Sequence, residues 1–195
     1  LRKVLVHRPD LSLRRLTPSN REELLFDDVL WVRKARGEHD KFVRHLEKRG
    51  VEVFYLDDLL TDVLRIPEAR LFIIDKTVTR LTVGASLVKD FRAYLLEMDP
   101  RRLATILIGG LGRQEMDASL LERHSLTLVT MEATDFLLPP LPNSIFTRDS
   151  SSWIYNGVSL NPMFYEAREL EVVHAAAIYN WHPMFTEADF EFWYP

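Results

Sequence analysis

Cysteine is missing altogether from these 195 residues, which excludes disulfides, thiolate-bound zinc and a thiol nucleophile within them. Basic clusters are missing as well. Lys+Arg 25 against Asp+Glu 29 gives a formal net charge of −4, with no basic block to follow a nucleic-acid backbone. No apolar run approaches the length of a membrane-spanning helix, and the opening Leu1-Arg-Lys-Val-Leu-Val6 lacks the h-region of a signal peptide. The resulting expectation is a cytoplasmic protein with no nucleic-acid or membrane partner. Familiar site signatures are absent too. His39 and His45 are six residues apart and fall on different helix faces, so they make no metal pair. Ser150-Ser-Ser152 has no glycine-flanked elbow of the serine-hydrolase kind. Gly109-Gly-Leu-Gly112 follows a predicted helix and not a strand, so it reads as a turn and not a phosphate cradle. Neither a cofactor nor a metal is expected.

What is present suffices for a core: 47% of the residues are hydrophobic, and the length allows one or two domains. Leu1 to His7 alternates apolar and basic residues as a half-buried strand does. From about Val29 to Arg49 the positions Val32, Ala35, His39, Phe42, Val43 and Leu46 mark one face of a long helix ending near Gly50, and Val51 to Leu56 is a second strand. Strand, helix and strand in succession predict an α/β unit. Between Asp57 and about Gly112 several helices follow one another. One carries Leu56, Leu59, Leu60, Val63 and Leu64, another Leu87, Phe91, Tyr94, Leu95 and Met98, and Asp99-Pro100 starts a third. The expected division is 1–56 as α/β, 57–124 as an inserted helical bundle and 125–195 as α/β again, with strand character at about Ser125 to Thr130. His39 and His174 lie on apolar stripes and read as hydrogen-bonded core residues.

The most telling stretch is Leu137-Leu-Pro-Pro-Leu-Pro-Asn-Ser-Ile-Phe-Thr-Arg-Asp149. Its prolines favour polyproline II, whose three residues per turn place Asn143, Phe146 and Asp149 on one edge. Carboxylate, aromatic ring and amide together recognise a planar cation: the carboxylate takes a guanidinium, the ring stacks on it and the amide orients it. The competing reading is a solvated Arg148–Asp149 pair at a strand entry. A hairpin with Asn156-Gly157 as its turn follows, then a helix from about Glu166 to Trp181. Arg168 in its first turn opposes the helix dipole unless Glu166 or Glu169 offsets it, so either an anionic ligand or a solvated arginine explains it.

Leu16-Thr-Pro-Ser-Asn20, Glu23-Leu-Leu-Phe-Asp-Asp-Val-Leu-Trp31, Glu38-His-Asp40, Leu137 to Asn143, Phe146-Thr-Arg-Asp149, Trp153 to Met163 and His182-Pro-Met-Phe185, in this order and spacing, resemble the arginine deiminases. The resemblance implies a hydrolase converting L-arginine and water to L-citrulline and ammonia through a covalent Cys intermediate. It implies a five-bladed α/β propeller of the guanidino-group-modifying (pentein) superfamily, here present in part, with the helical insertion that sets deiminases apart from dimethylarginine hydrolase. It makes Asp149 a catalytic carboxylate gripping the substrate guanidinium, with Asn143 and Phe146 beside it. It makes Arg168 the partner of the substrate α-carboxylate and Leu25 part of a loop closing over the substrate. The nucleophile, the His of the proton relay and a second carboxylate in a Glu-Gly-Gly-Asp segment are not in these residues. The expectation is therefore the N-terminal half of a chain roughly twice as long, inactive alone and homo-oligomeric when complete. Two other readings stay open: a non-catalytic guanidinium-binding module, and an amidinotransferase of the same superfamily.

Overall fold

The computed structural model describes residues 1–122 and 125–194, without the side chains of Ser119 and Tyr194. The expected boundary at residue 124 lies outside the described residues. Strand β1 (Lys3–Val6) pairs in parallel with β2 (Glu52–Tyr55), Val4 opposite Val53. Between them come the single turn α1 (Leu11–Arg14) and the long helix α2 (Val32–Glu47). The predicted strand–helix–strand unit is therefore there. The face of α2 is less covered than its stripe implies, because Val32 and Val43 are buried while Phe42 is 53% exposed.

A run of helices follows: α3 (Leu56–Val63), α4 (Pro67–Thr77), α5 (Arg80–Val83), α6 (Val88–Glu97) and α7 (Pro100–Gly109). Leu60, Val63, Leu64, Leu87, Phe91 and Leu95 from the two predicted stripes are fully buried. Asp99 caps α7 as its sequence requires, its carboxylate accepting from the Arg101 and Arg102 amides at 2.9 and 3.1 Å. Gly110 then turns the chain at φ 85° and ψ 175°, a region open only to glycine. Strand β3 (Leu111–Gly112) pairs antiparallel with β4 (Phe136–Leu138).

Between β3 and β4 lie α8 (Ala118–Leu121) and α9 (Leu126–Thr130). The strand expected at 125–130 is thus a helix. Its alternation of apolar residues is overridden by tertiary contacts: Leu128 is buried, and the Thr127 hydroxyl donates to the Val83 carbonyl at 3.2 Å.

The last sheet is β5 (Ser151–Ile154), β6 (Gly157–Leu160) and β7 (Glu191–Tyr194), antiparallel between β5 and β6 and parallel between β6 and β7. Helix α10 (Glu169–Trp181) and the short α11 (Pro183–Thr186) connect β6 to β7. The β5–β6 turn is Tyr155-Asn156, with Ile154 opposite Gly157 and Tyr155 at φ 54°. This corrects the predicted Asn156-Gly157 turn by one residue. Gly157 is required inside the strand instead, where a Cβ would lie 2.2 Å from the Trp193 indole. Helix α10 packs on α3 and α4, so one hydrophobic core runs from the helices into the last sheet.

The described residues form a mixed α/β structure with three small sheets and no closed barrel. No helix among them is long and apolar enough to cross a membrane.

Candidate active site

Residues 142–149 lie across the surface between the first and last sheets and are tied down at three points. Pro142–Ile145 is a turn of 3-10 helix, and the Phe146 amide donates to the Asn143 carbonyl at 2.8 Å. The Asp149 amide repeats this with the Phe146 carbonyl at 3.0 Å. These are i,i+3 turns and not polyproline II, and the three side chains do not share the expected edge: Phe146 and Asp149 are exposed while Asn143 is turned inward. The Asn143 side chain is buried and donates to the Leu24 carbonyl at 2.8 Å. The Thr147 hydroxyl donates to the Leu5 carbonyl of β1 at 2.8 Å. Asn161, just past β6, donates to the Asp149 carbonyl at 2.9 Å.

Asn143 thereby links the segment to the loop at residues 17–31. Leu24 sits with Leu13, Leu16 and Val32 in a second small core against which Ile145 packs. Leu25 follows at φ 63°, a conformation that a bulky side chain rarely adopts. Leu25 therefore lies next to the Asn143 anchor, while Phe146 and Asp149 lie further along the segment.

Asp149 Oδ2 accepts from Arg168 Nη1 at 2.9 Å. The Arg168 guanidinium also lies 5.9 Å from the centroid of Phe146, within cation–π range. Arg168 precedes α10 directly, and its Nε and Nη2 donate to both carboxylate oxygens of Glu171 at 2.8 to 3.2 Å. Glu171, one turn into the helix, is the carboxylate that offsets Arg168, in place of the expected Glu166 or Glu169. Its i,i+3 spacing was the available signal. Asn161 also escaped prediction; its only cue was its place at the end of a strand.

Exposure is graded across this group. The Asp149 side chain is 45% exposed, that of Arg168 14% and that of Glu171 5%. Burial works against the Arg168 charge, but its hydrogen bonds to Glu171 and Asp149 outweigh burial and hold its pKa above the ordinary value. Burial raises the Glu171 carboxyl, and the pull of Arg168 does not fully cancel that rise. Two open clefts of about 770 and 780 Å3 flank the segment. Asn20, Glu23, Leu24, Pro139 and Pro140 belong to the first, and Thr147, Arg148 and Trp153 to the second.

The five predicted positions thus fall into two groups: Arg168 against both Asp149 and Phe146, and Asn143 holding the loop that carries Leu25. Residues 22–195 match the profile of a family described as arginine deiminase. The chain belongs to the arginine deiminase family. Membership assigns it to enzymes that act on an amidine carbon with arginine as substrate.

His174 of α10 is completely buried, and neither ring nitrogen has a hydrogen-bond partner among the described residues. It is a core histidine as predicted, but not a hydrogen-bonded one. Burial lowers its pKa from 6.5 to about 4, with His7 adding to the effect. Between those values the unfolded chain takes up a proton that the folded chain refuses, so stability falls as pH drops through this window. The full contribution is on the order of 3 kcal/mol. His174→Leu should therefore flatten the loss of melting temperature between pH 7.5 and pH 5. The buried His7, whose pKa is lowered chiefly by desolvation, leaves a residual slope. An unchanged slope in the variant would rule out His174 as its source.

Proposed function

We propose that this chain carries the substrate-gripping half of an arginine deiminase, which hydrolyses L-arginine to L-citrulline and ammonia. The observation that carries the reading is the guanidinium already held between Asp149 and Phe146. It belongs to Arg168, but its partners are those a substrate guanidinium needs: a carboxylate at 2.9 Å and a ring face at 5.9 Å.

When arginine enters, its guanidinium takes Asp149 and Phe146, and its α-carboxylate takes Arg168. The two charges that pair with each other in this structure then each pair with one end of a free amino acid. Arginine within a peptide lacks the free α-carboxylate and is rejected. A guanidinium stays protonated in any ordinary site, so its burial requires a carboxylate. Asp149 supplies one, fixes the amidine plane and stabilises charge as the carbon becomes tetrahedral. Asn143 orders the closing loop that includes Leu25.

Attack on the amidine carbon needs a nucleophile, and these residues contain no cysteine. We assign the Cys nucleophile, the His proton relay and the second carboxylate to a further segment of the protein. In the same reading, residues 1–56 and 125–195 form blades of an α/β propeller and 57–124 its helical insertion. The helix-crossed parallel pairs β1–β2 and β6–β7 support this arrangement. A cytoplasmic homo-oligomer is part of the same proposal.

Incubating the full chain, meaning these residues together with the further segment that supplies the nucleophile, with L-arginine should yield citrulline and ammonia in equal amounts, unchanged when ornithine or glycine is added. Transfer of the amidino group to either amine would instead identify an amidinotransferase, and arginine binding without product a binding module. Arg168→Lys should raise the Michaelis constant for arginine about tenfold while affecting kcat less, because an ammonium cannot reproduce the bidentate fork. An unchanged constant would remove Arg168 from the carboxylate subsite.

A further inference from the structure

Arg168 is gripped from two sides by carboxylates of very different standing. Glu171 is 5% exposed and belongs to a regular helix, and it takes the Nε and Nη2 edge with both oxygens. Asp149 is 45% exposed, follows a turn segment, and takes a single Nη1 hydrogen. Three of the five N–H groups of a guanidinium are accounted for in this way. The buried two-point bond to Glu171 is the fixed attachment, and the exposed one-point bond to Asp149 is the exchangeable one.

Resting on the arginine deiminase reading, we infer that Glu171 is a positioning residue that holds Arg168 by its Nε edge and so limits it to a one-point, exchangeable bond with Asp149. It thereby keeps both groups available to opposite ends of arginine. With Glu171 holding the Nε edge, Arg168 has its Nη1–Nη2 end to trade, which suffices for a two-point bond to a carboxylate. An incoming α-carboxylate competes for that end, and once it wins, Asp149 is released to the substrate guanidinium. Without the Glu171 charge, a desolvated guanidinium at 14% exposure has Asp149 as its remaining close carboxylate and closes the guanidinium site with its own cation. Recognition of the two substrate ends is then coupled through one arginine side chain.

This predicts epistasis that a purely structural role would not give. In the full chain, Glu171→Gln should weaken arginine use about tenfold or more, mainly through the Michaelis constant. It should also weaken use of agmatine, which is arginine without its carboxylate. Adding Arg168→Met to Glu171→Gln removes the intruding cation along with its partner. The double variant should stay poor on arginine and handle agmatine at least about threefold better than Glu171→Gln alone. Thermal melting of all three proteins reports folding, and a double change that removes both ions leaves no unpaired buried charge. Equal kinetics of wild type and Glu171→Gln, or a double variant no better on agmatine than the single, would overturn the positioning role. Absence of citrulline from the wild-type full chain would overturn the deiminase reading itself, so the two failures are distinguishable.

Discussion

Asp149→Asn in the full chain is expected to lower citrulline formation by about a thousandfold. The substitution keeps the side-chain shape and the backbone hydrogen bond to Asn161, and removes one charge. Asp149 is 45% exposed in these residues, and the bound substrate and the further segment that supplies the nucleophile are expected to cover it. A guanidinium in the covered site then loses the partner that offsets its burial, and breaking a buried ion pair costs about 3 to 5 kcal/mol. The change also leaves Arg168 with Glu171 as its one close carboxylate, so the fold should survive and the melting temperature should move little. Asp149→Ala should be at least as inactive. Activity within a few-fold of wild type in either variant would remove Asp149 from the site, and a large fall in melting temperature would mark its role as structural.

Gly110→Ala carries the largest expected effect on stability, a loss of about 3 kcal/mol or more, read by urea or thermal unfolding. Two causes add. The φ and ψ of 85° and 175° are open only to glycine, and a Cβ there would lie 2.7 Å from the Leu138 carbonyl oxygen and from the Pro140 nitrogen. Both are backbone atoms of the segment that leads to Asn143, so they cannot swing aside as a side chain would. The variant should also lose activity, since relief of the clash moves the start of the site segment. Gly37→Ala is the matched control. That glycine lies in the interior of α2 with nothing within 4 Å of an added Cβ, so alanine there should be neutral or stabilising by up to about 1 kcal/mol. Equal effects at the two positions would refute the steric account.

Residues that act within one element were readable from the chain. The stripes of α3 and α6 follow the helical period and pack as expected, and Asp99-Pro100 opens α7. What could not be read depends on distant partners. The hairpin turn shifts by one residue because Trp193 of β7 must lie against Gly157, a contact across the whole of α10. Residues 126–130 alternate like a strand yet coil, because Leu128 and Thr127 dock on other elements. Phe42 continues an apolar stripe but remains half exposed.

At the site the same division holds. Residue types announced a guanidinium-recognising group, and spacing placed Arg168 at a helix start. That Arg168 itself sits against Asp149 and Phe146 follows only from how α10 packs beside the turn segment. Glu171 stood at a legible spacing, but a glutamate three residues after an arginine is common on solvated helices. Its burial gives it meaning here.

The most direct measurement is the separation of Arg168 Nη1 from Asp149 Oδ2 in crystals of the full chain soaked briefly with L-arginine and flash-cooled. In the present structure the two atoms are 2.9 Å apart. With arginine bound they should separate beyond about 4 Å, the limit of an ion pair. The substrate carboxylate should lie on Arg168 and its guanidinium on Asp149. Arginine bound with the Arg168–Asp149 pair intact would contradict the assignment of these two residues to opposite ends of the substrate.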